Sequence, residues 1–162
     1  MILQTKHFGE IEINQEEIIR FPDGIPGFDD YTQYIFIENP DKEVPFHWLQ
    51  AVEDGALAFV ITNPFLFKPD YDFEISKNVV EKLSIEDQSD LQVYTIVRVP
   101  ENIKEMTANL RAPLVINTKN KKGKQLMLDS EVYHTKHYIL EEIQKMQEQS
   151  NQTSPAAEGG RD

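Results

Sequence analysis

One short segment of this chain contains residue types at a spacing that could bind a metal. His134 and His137 stand three positions apart, with Asp129 and Glu131 shortly before them. Imidazole and carboxylate groups at this spacing could share one face of a helix and bind zinc, but a zinc site needs further ligands, and no other His or Cys cluster supplies them. The spacing therefore predicts no metal centre.

Acid–base or nucleophilic catalysis has equally little support. The chain contains no cysteine and no Gly-x-Ser-x-Gly motif. Its adjacent acidic pairs include Glu16-Glu17, Asp29-Asp30, Glu53-Asp54 and Glu86-Asp87. Because neighbouring side chains of a strand point to opposite faces, these pairs do not predict two carboxylates that converge on a substrate. We expect neither an enzyme nor a cofactor-binding protein.

A segment in the first half of the chain has the composition of a protein-binding surface instead. Residues 64–73 (Pro-Phe-Leu-Phe-Lys-Pro-Asp-Tyr-Asp-Phe) interleave four aromatic residues with two aspartates. Aromatic side chains beside carboxylates suit a basic or amphipathic protein partner. Alternation predicts that about half of the aromatic residues belong to the core instead. The candidate contacts are Phe65, Phe67, Asp70, Tyr71, Asp72 and Phe73.

The loop at residues 21–28 (Phe-Pro-Asp-Gly-Ile-Pro-Gly-Phe) is a second candidate. Its two glycines can adopt positive φ, whereas its two prolines restrict the chain. Such pre-ordering lowers the entropy lost when a loop presents side chains to a partner. The loop lacks the Gly-x-x-x-x-Gly-Lys pattern of a phosphate-binding loop. Ile25 and Phe28 are therefore candidate partner contacts, and the alternative is that Phe28 closes one end of a core.

Charge is divided unevenly along the chain, which has a net charge of −12. Residues 1–90 carry 19 acidic and 6 basic side chains, whereas residues 91–137 carry 4 acidic and 8 basic ones. Since Lys and Arg on phosphates supply most non-specific affinity for nucleic acid, we expect no direct binding of RNA or DNA. A basic protein partner fits better. The alternative is a small nucleic-acid-binding β-barrel protein that uses the lysines of 119–124, which otherwise form a solvated turn.

Compartment signals are absent from the sequence. There is no cysteine, and the N-terminal residues lack the basic segment and apolar core of a signal peptide. No apolar run approaches the roughly 18–20 residues that span a bilayer. We therefore expect a cytoplasmic protein with no membrane partner.

The elements that must position the candidate residues are mostly short strands. In Leu91–Val99 the residues alternate between two faces with period two, as in a strand. Many short strands with tight connections predict an all-β fold, a small antiparallel β-barrel. The predicted strands are Ile2–Thr5, Phe8–Ile13, Ile18–Phe21, Tyr34–Glu38, Phe46–Ala51, Ala56–Thr62, Leu91–Val99, Leu114–Thr118 and Lys124–Leu128.

Helix is predicted in only a few places. Ser76–Leu83 begins with a capping residue and has its apolar residues on one side, and Asn102–Met106 fits a single turn. Residues 138–149 have an amphipathic pattern, and we expect their apolar stripe to pack on the barrel. The prediction is one barrel domain at 1–137, a C-terminal helix, and a disordered tail at 150–162.

Three sequence blocks carry a family resemblance. The first is Asn109–Asn117 (Asn-Leu-Arg-Ala-Pro-Leu-Val-Ile-Asn) with Gln125–Leu128 after it, and the second is the loop 21–28. The third is the pair of runs at Phe46–Gln50 and Ala56–Val60. The blocks occur along the chain in the order of the flagellar assembly factor FliW family, and together they resemble that family over roughly residues 1–130.

The resemblance implies a function as well as a fold. Members of this family are non-enzymatic cytoplasmic regulators with a small β-barrel. They bind flagellin before its export, and they also bind CsrA, an RNA-binding translational repressor. The resemblance thus implies that this chain, when free of flagellin, antagonises CsrA and relieves repression of flagellin translation. Its implied partners are CsrA and flagellin.

Overall fold

The fold is built from short strands, two α-helices and a few 3-10 turns. A computed structural model describes residues 1–157. The strands and α-helices of this part of the chain are, in order, β1 Ile2–Thr5, β2 Gly9–Glu12, β3 Ile19–Arg20, β4 Gln33–Ile37, β5 Phe46–Ala51, β6 Ala58–Thr62, α1 Lys77–Lys82, β7 Leu91–Arg98, β8 Thr107–Ala108, β9 Leu114–Asn117, β10 Lys122–Gln125, β11 His137–Tyr138 and α2 Ile139–Ala157.

Seven of the strands close into a barrel. They pair in the order β7-β6-β5-β4-β3-β10-β9, and β9 pairs again with β7. The predicted all-β barrel is thus confirmed, with one correction: β3 and β10 are parallel, whereas the other neighbours are antiparallel. A ring with an odd number of strands cannot alternate in direction all the way round, so one pair must be parallel.

The barrel interior is the main hydrophobic core. Alternate residues of each strand face inward, and in β7 these include Tyr94 and Ile96, which the period-two pattern placed on the same face without saying that this face is the inner one. The most deeply buried members of this core include Phe21, Ile25, Tyr34, Leu49, Ile61 and Leu114. Desolvation raises the pKa of Tyr34 to about 12, because burial disfavours the phenolate.

A second core lies outside the barrel wall. Val93 and Val97 of β7 face away from the interior and pack in one cluster with Tyr71, Leu110 and Ile139. The chain between β6 and α1 and the first turns of α2 therefore cover the outer face of β7. This covering layer contains most of the predicted partner-binding residues.

Helix α1 is the helix that its sequence predicted. Ser76 is the N-cap, and its Oγ accepts a hydrogen bond from the Val79 N–H at 3.3 Å. Leu83, which is fully buried, is the C-cap residue. The cap and the apolar side are both local signals, which is why the sequence located this helix.

Helix α2 differs from its predicted bounds. It runs Ile139–Ala157 and so includes residues 150–157, which we expected to belong to a disordered tail. The first Gly or Pro after Ile139 is Pro155, so no helix-breaking residue stands at position 150. The remainder of the predicted tail, 158–162, lies outside the described residues. No helix within 1–157 combines the length and apolar character needed to cross a bilayer.

Two strands were missed by the sequence. β8 and β11 are two residues each and pair with one another, His137 with Ala108 and Tyr138 with Thr107. β3 is equally short but lies in the apolar run Ile18–Phe21, whereas neither Thr107–Ala108 nor His137–Tyr138 belongs to an alternating pattern that would indicate a strand. Together they attach the start of α2 to the edge of β7.

Candidate partner-binding surface

The predicted partner-binding residues lie in two separate places. Ile25 and Phe28 belong to the loop that closes part of the barrel, whereas the other six follow β6 on the outer layer. No ring contact links Phe28 to the second group: Phe28 packs edge-on against Phe59, with ring centroids 5.2 Å apart. The structure thus divides the prediction into a loop site and a segment site.

In the loop, the two prolines and two glycines create a tight reversal. Gly24 and Gly27 have φ values of 70° and 90°, as the sequence predicted. The reversal directs Ile25 into the barrel, where it is 2% exposed, and leaves Phe28 38% exposed. Ile25 is therefore core rather than surface, which corrects its prediction, and Phe28 remains accessible.

In the segment after β6, two of the predicted contacts are anchors. Phe67 and Tyr71 are buried in the outer core. The Tyr71 hydroxyl donates a hydrogen bond to the Leu110 carbonyl oxygen at 2.6 Å, and burial raises the pKa of Tyr71. These two side chains cannot meet a partner directly, which corrects their prediction. Alternation placed some aromatic residues in the core but could not say which.

Among the predicted contacts of this segment, Phe65, Asp70 and Asp72 are exposed and Phe73 is half-buried. The rings of Phe65 and Phe73 pack against Tyr71, with centroids 5.9 Å and 5.3 Å from it. Asp70 lies 3.6 Å from the ammonium of Lys68. Phe65, Phe73 and the two aspartates therefore form an accessible aromatic and acidic surface.

Grooves flank Phe73 on both sides. One, of about 440 Å³, has Ile75, Gln88 and Leu91 in its walls, and an adjoining one of about 340 Å³ extends towards Phe65. On the other side a groove of about 290 Å³ separates the segment from Tyr133 and its neighbours. Sequence reasoning missed the groove residues after Phe73. The alternating acidic and apolar order of Asp72 to Ile75 was a signal that could have found them.

A buried polar network holds the segment after β6 against α2 on its inner side. The His137 Nδ1 lies 2.8 Å from Glu142 Oε2, and the His137 Nε2 accepts a hydrogen bond from the His134 N–H at 2.8 Å. With Nε2 accepting, the proton resides on Nδ1 and is donated to the carboxylate. Glu142 Oε1 also lies 3.6 Å from the Lys68 ammonium. The network joins α2 and β11 to the segment.

Electrostatics within this network favour an ionised Glu142. Burial acts to raise the pKa of this carboxyl, but the hydrogen bond from His137 and the charges of Lys68 and Lys145 hold the pKa below its ordinary value. The two residues considered above as metal ligands, His134 and His137, are thus part of a structural hydrogen-bond network. Within residues 1–157, no group of three or more His, Cys, Asp and Glu side chains is arranged to hold a metal ion.

Lysines of the β9–β10 hairpin are partly neutralised by the chain itself. The ammonium of Lys119 lies 3.1 Å from Glu86, and that of Lys124 lies 2.9 Å from Asp23. Hydrogen bonds from Lys124 and Lys82 lower the pKa of Asp23. The hairpin therefore presents less free positive charge than its sequence suggests, which weakens the nucleic-acid alternative.

Comparison with known proteins gives a consistent result. Residues 2–139 match the family model described as FliW protein. The chain is 48% identical over 143 residues to the flagellar assembly factor FliW of Thermoanaerobacter pseudethanolicus, covering 88% of this chain and 95% of the relative. It is 46% identical over 147 residues to that of Ruminiclostridium cellulolyticum, covering 91% and 99%.

A solved structure agrees with the sequence relatives. It is described as the crystal structure of the flagellar assembly factor FliW, and it superposes with a TM-score of 0.80 at 39% sequence identity. The match covers 86% of this chain and 96% of that one. The two proteins therefore share their fold over most of both chains.

Proposed function

This chain belongs to the FliW family of flagellar assembly factors, and from that premise we propose that it is a cytoplasmic, non-enzymatic regulator that binds flagellin and CsrA. The observation that carries the proposal is the family match over residues 2–139, which includes all of the blocks that first suggested it. The exposed aromatic and acidic surface supports it, because such a surface suits a protein partner better than a small substrate.

The proposed cycle couples flagellin export to translation. Flagellin in the cytoplasm occupies this protein in a chaperone-like complex, so CsrA remains free to repress flagellin translation. Export of flagellin releases the protein, which then binds CsrA and relieves repression. Flagellin synthesis thereby follows the demand of the growing filament.

Physical limits restrict how the protein antagonises an RNA-binding partner. At physiological salt the Debye length is about 8 Å, so its acidic surface repels RNA only where the two nearly touch. Repulsion alone therefore requires docking beside the RNA-binding groove of CsrA. Otherwise the antagonism comes from a changed CsrA conformation, with a coupling free energy of about 1–3 kcal/mol.

We place the partner contacts on the accessible members of the predicted set. These are Phe28 in the loop and, in the segment, Phe65, Asp70, Asp72 and the half-buried Phe73. The buried members contribute indirectly, since Phe67 and Tyr71 hold the segment on the outer core.

Co-purification tests the proposed function. Tagged protein is incubated with flagellin, with CsrA, and with both, and the captured proteins are quantified. We expect capture of each partner alone and reduced capture of CsrA when flagellin is present in excess. Restored binding of a CsrA target RNA on addition of flagellin is the matching functional measurement. Capture of neither partner, by a protein whose melting curve shows that it is folded, contradicts the proposal.

A further inference from the structure

Residues 72–75 have strand character but no strand partner. Asp72 and Glu74 are exposed, whereas Phe73 and Ile75 are half-buried, so the burial alternates as it does along a strand. Within residues 1–157, no hydrogen bond is formed by the backbone N–H groups of Phe73, Glu74 and Ile75 or by the carbonyl groups of residues 72–75. An open backbone edge of this kind is a template on which another strand can pair.

The side of this edge that is open follows from its one hydrogen bond. The Asp72 N–H donates to the Tyr133 hydroxyl at 3.0 Å. Because successive N–H groups of an extended chain point in opposite directions, those of Phe73 and Ile75 point away from Tyr133. The groove on that side has Gln88 and Leu91 in its walls. The unpaired groups therefore face the larger of the flanking grooves.

The acidic charge around the groove favours a partner segment with basic residues. Residues 70–90 carry seven acidic side chains and two lysines, and one of these, Lys82, is already bonded to Asp23. Asp72 and Glu74 stand on the exposed side of the segment, and the half-buried Phe73 and Ile75 alternate with them. A strand that pairs here is complemented by Lys or Arg opposite the carboxylates and by apolar side chains opposite Phe73 and Ile75.

We propose that residues 72–75 form a strand-addition site, which a protein partner occupies with an extended segment of alternating apolar and basic residues. This inference rests on the proposed function in that the occupant belongs to flagellin or CsrA. A second copy of this chain is disfavoured as the occupant, because the net charge of −12 makes two copies repel each other.

Residue-specific amide exchange tests the pairing directly. Exchange is measured by NMR on the ¹⁵N-labelled protein, alone and saturated with flagellin or with CsrA. In one of the complexes we expect the Phe73 and Ile75 amides to exchange at least about tenfold more slowly, because a backbone hydrogen bond forms at each. If a partner contacts the protein through side chains alone, these amides exchange as fast as in the free protein. Unchanged exchange in both complexes overturns the proposal.

Charge reversal with a matched control tests the complementarity. The double variant Asp72→Lys/Glu74→Lys is compared with Glu12→Lys/Glu43→Lys, which makes the same change at exposed positions elsewhere. We expect the first to weaken binding of that partner at least about tenfold and the second to change it less than about threefold, with both variants folded by their melting curves. Equal effects of the two doubles overturn the charge argument and with it the proposed occupant.

A peptide experiment keeps this inference distinct from the proposed function. A capped Lys-Val-Lys-Val-Lys-Val peptide is compared with Lys-Lys-Lys-Val-Val-Val, which has the same charge and composition without the alternation. We expect only the alternating peptide to slow exchange at Phe73 and Ile75. If flagellin and CsrA both fail to bind but this peptide protects those amides, the proposed function fails and the site stands. If neither peptide protects them while the partners bind elsewhere, the site fails and the function stands.

Discussion

At the scale of single residues, the molecule separates side chains that look alike in the sequence. Phe65 and Phe67 are two positions apart, yet one is 41% exposed and the other 4%. Tyr71 has a hydroxyl that would suit a surface, but that hydroxyl is satisfied by the Leu110 carbonyl. Because Tyr71 is buried and its hydroxyl is hydrogen-bonded, it holds its exposed neighbours in the chain in a fixed position.

The loop glycines provide a prediction at this scale. Both have positive φ, so an added Cβ is strained at either position, at a cost of about 1–2 kcal/mol. A Cβ at Gly24 would also lie 2.8 Å from the Asp29 Cα, whereas a Cβ at Gly27 meets nothing within 4 Å. Gly24→Ala should therefore lower the free energy of unfolding, measured in urea, by clearly more than Gly27→Ala does. Equal losses would show that the backbone of Asp29 moves aside freely.

At the scale of elements, α2 is held on the barrel by apolar contacts and by one buried polar network. Ile139 is buried in the outer core and Ile143 packs against the same cluster, which agrees with the predicted apolar stripe. Glu142 lies between them in the sequence and is also buried, so the helix places a carboxylate inside its contact with the segment. A buried charge is tolerated only when it is paired, and His137 and Lys68 provide the partners.

The lowered pKa of Glu142 predicts a pH-dependent contribution to stability. Its ordinary value is 4.5, and the folded protein holds it lower, so the unfolded chain binds the proton more readily. The stabilisation is therefore complete above pH 4.5 and disappears as the pH falls through the lowered pKa. Glu142→Gln removes this carboxylate, and we expect it to reduce the melting temperature at pH 7 but to differ much less from the original protein at pH 3.

A neighbouring exposed residue gives the control for that experiment. Glu141→Gln removes the same charge one position earlier, where the side chain is exposed. It should leave the melting temperature nearly unchanged at both pH values. If the deficit of Glu142→Gln is as large at pH 3 as at pH 7, ionisation of Glu142 does not stabilise the fold.

At the scale of the whole molecule, acidic charge on a barrel favours basic partners and disfavours nucleic acid. The lysine-rich hairpin is the one feature of the sequence that argued otherwise, and two of its lysines are bonded to acidic residues of the same chain. Long-range attraction to a basic protein is screened by salt, and it acts mainly on the association rate.

Filter binding separates these alternatives. We expect the protein alone to retain no RNA at 50 mM or 200 mM salt, and we expect its association with a basic partner to slow over the same increase in salt. Retention of RNA at low salt that is lost in Lys121→Glu/Lys122→Glu would favour the nucleic-acid-binding alternative. Both lysines lie on the hairpin, and neither is in an ion pair among residues 1–157.

Local signals in the sequence determined the element types, the family and part of the surface. Short apolar or alternating runs located the barrel strands, and Ser76 with the apolar side that follows it located α1. Positive φ at Gly24 and Gly27 was predictable, because few other residues adopt it at low cost. Asp70 and Asp72 were correctly expected at the surface, since aspartate side chains are mostly exposed in folded proteins.

Only the tertiary structure decided which aromatic residues are exposed and where the barrel closes. Those outcomes depend on contacts between residues far apart in the chain, such as Tyr71 with Leu110 and β9 with β7. The open backbone edge at 72–75 could likewise be found only in the tertiary structure. A backbone edge can be called unpaired only when the positions of all possible partner strands are known. Sequence periodicity reports the faces of an element, whereas its neighbours are chosen by the packing of the whole chain.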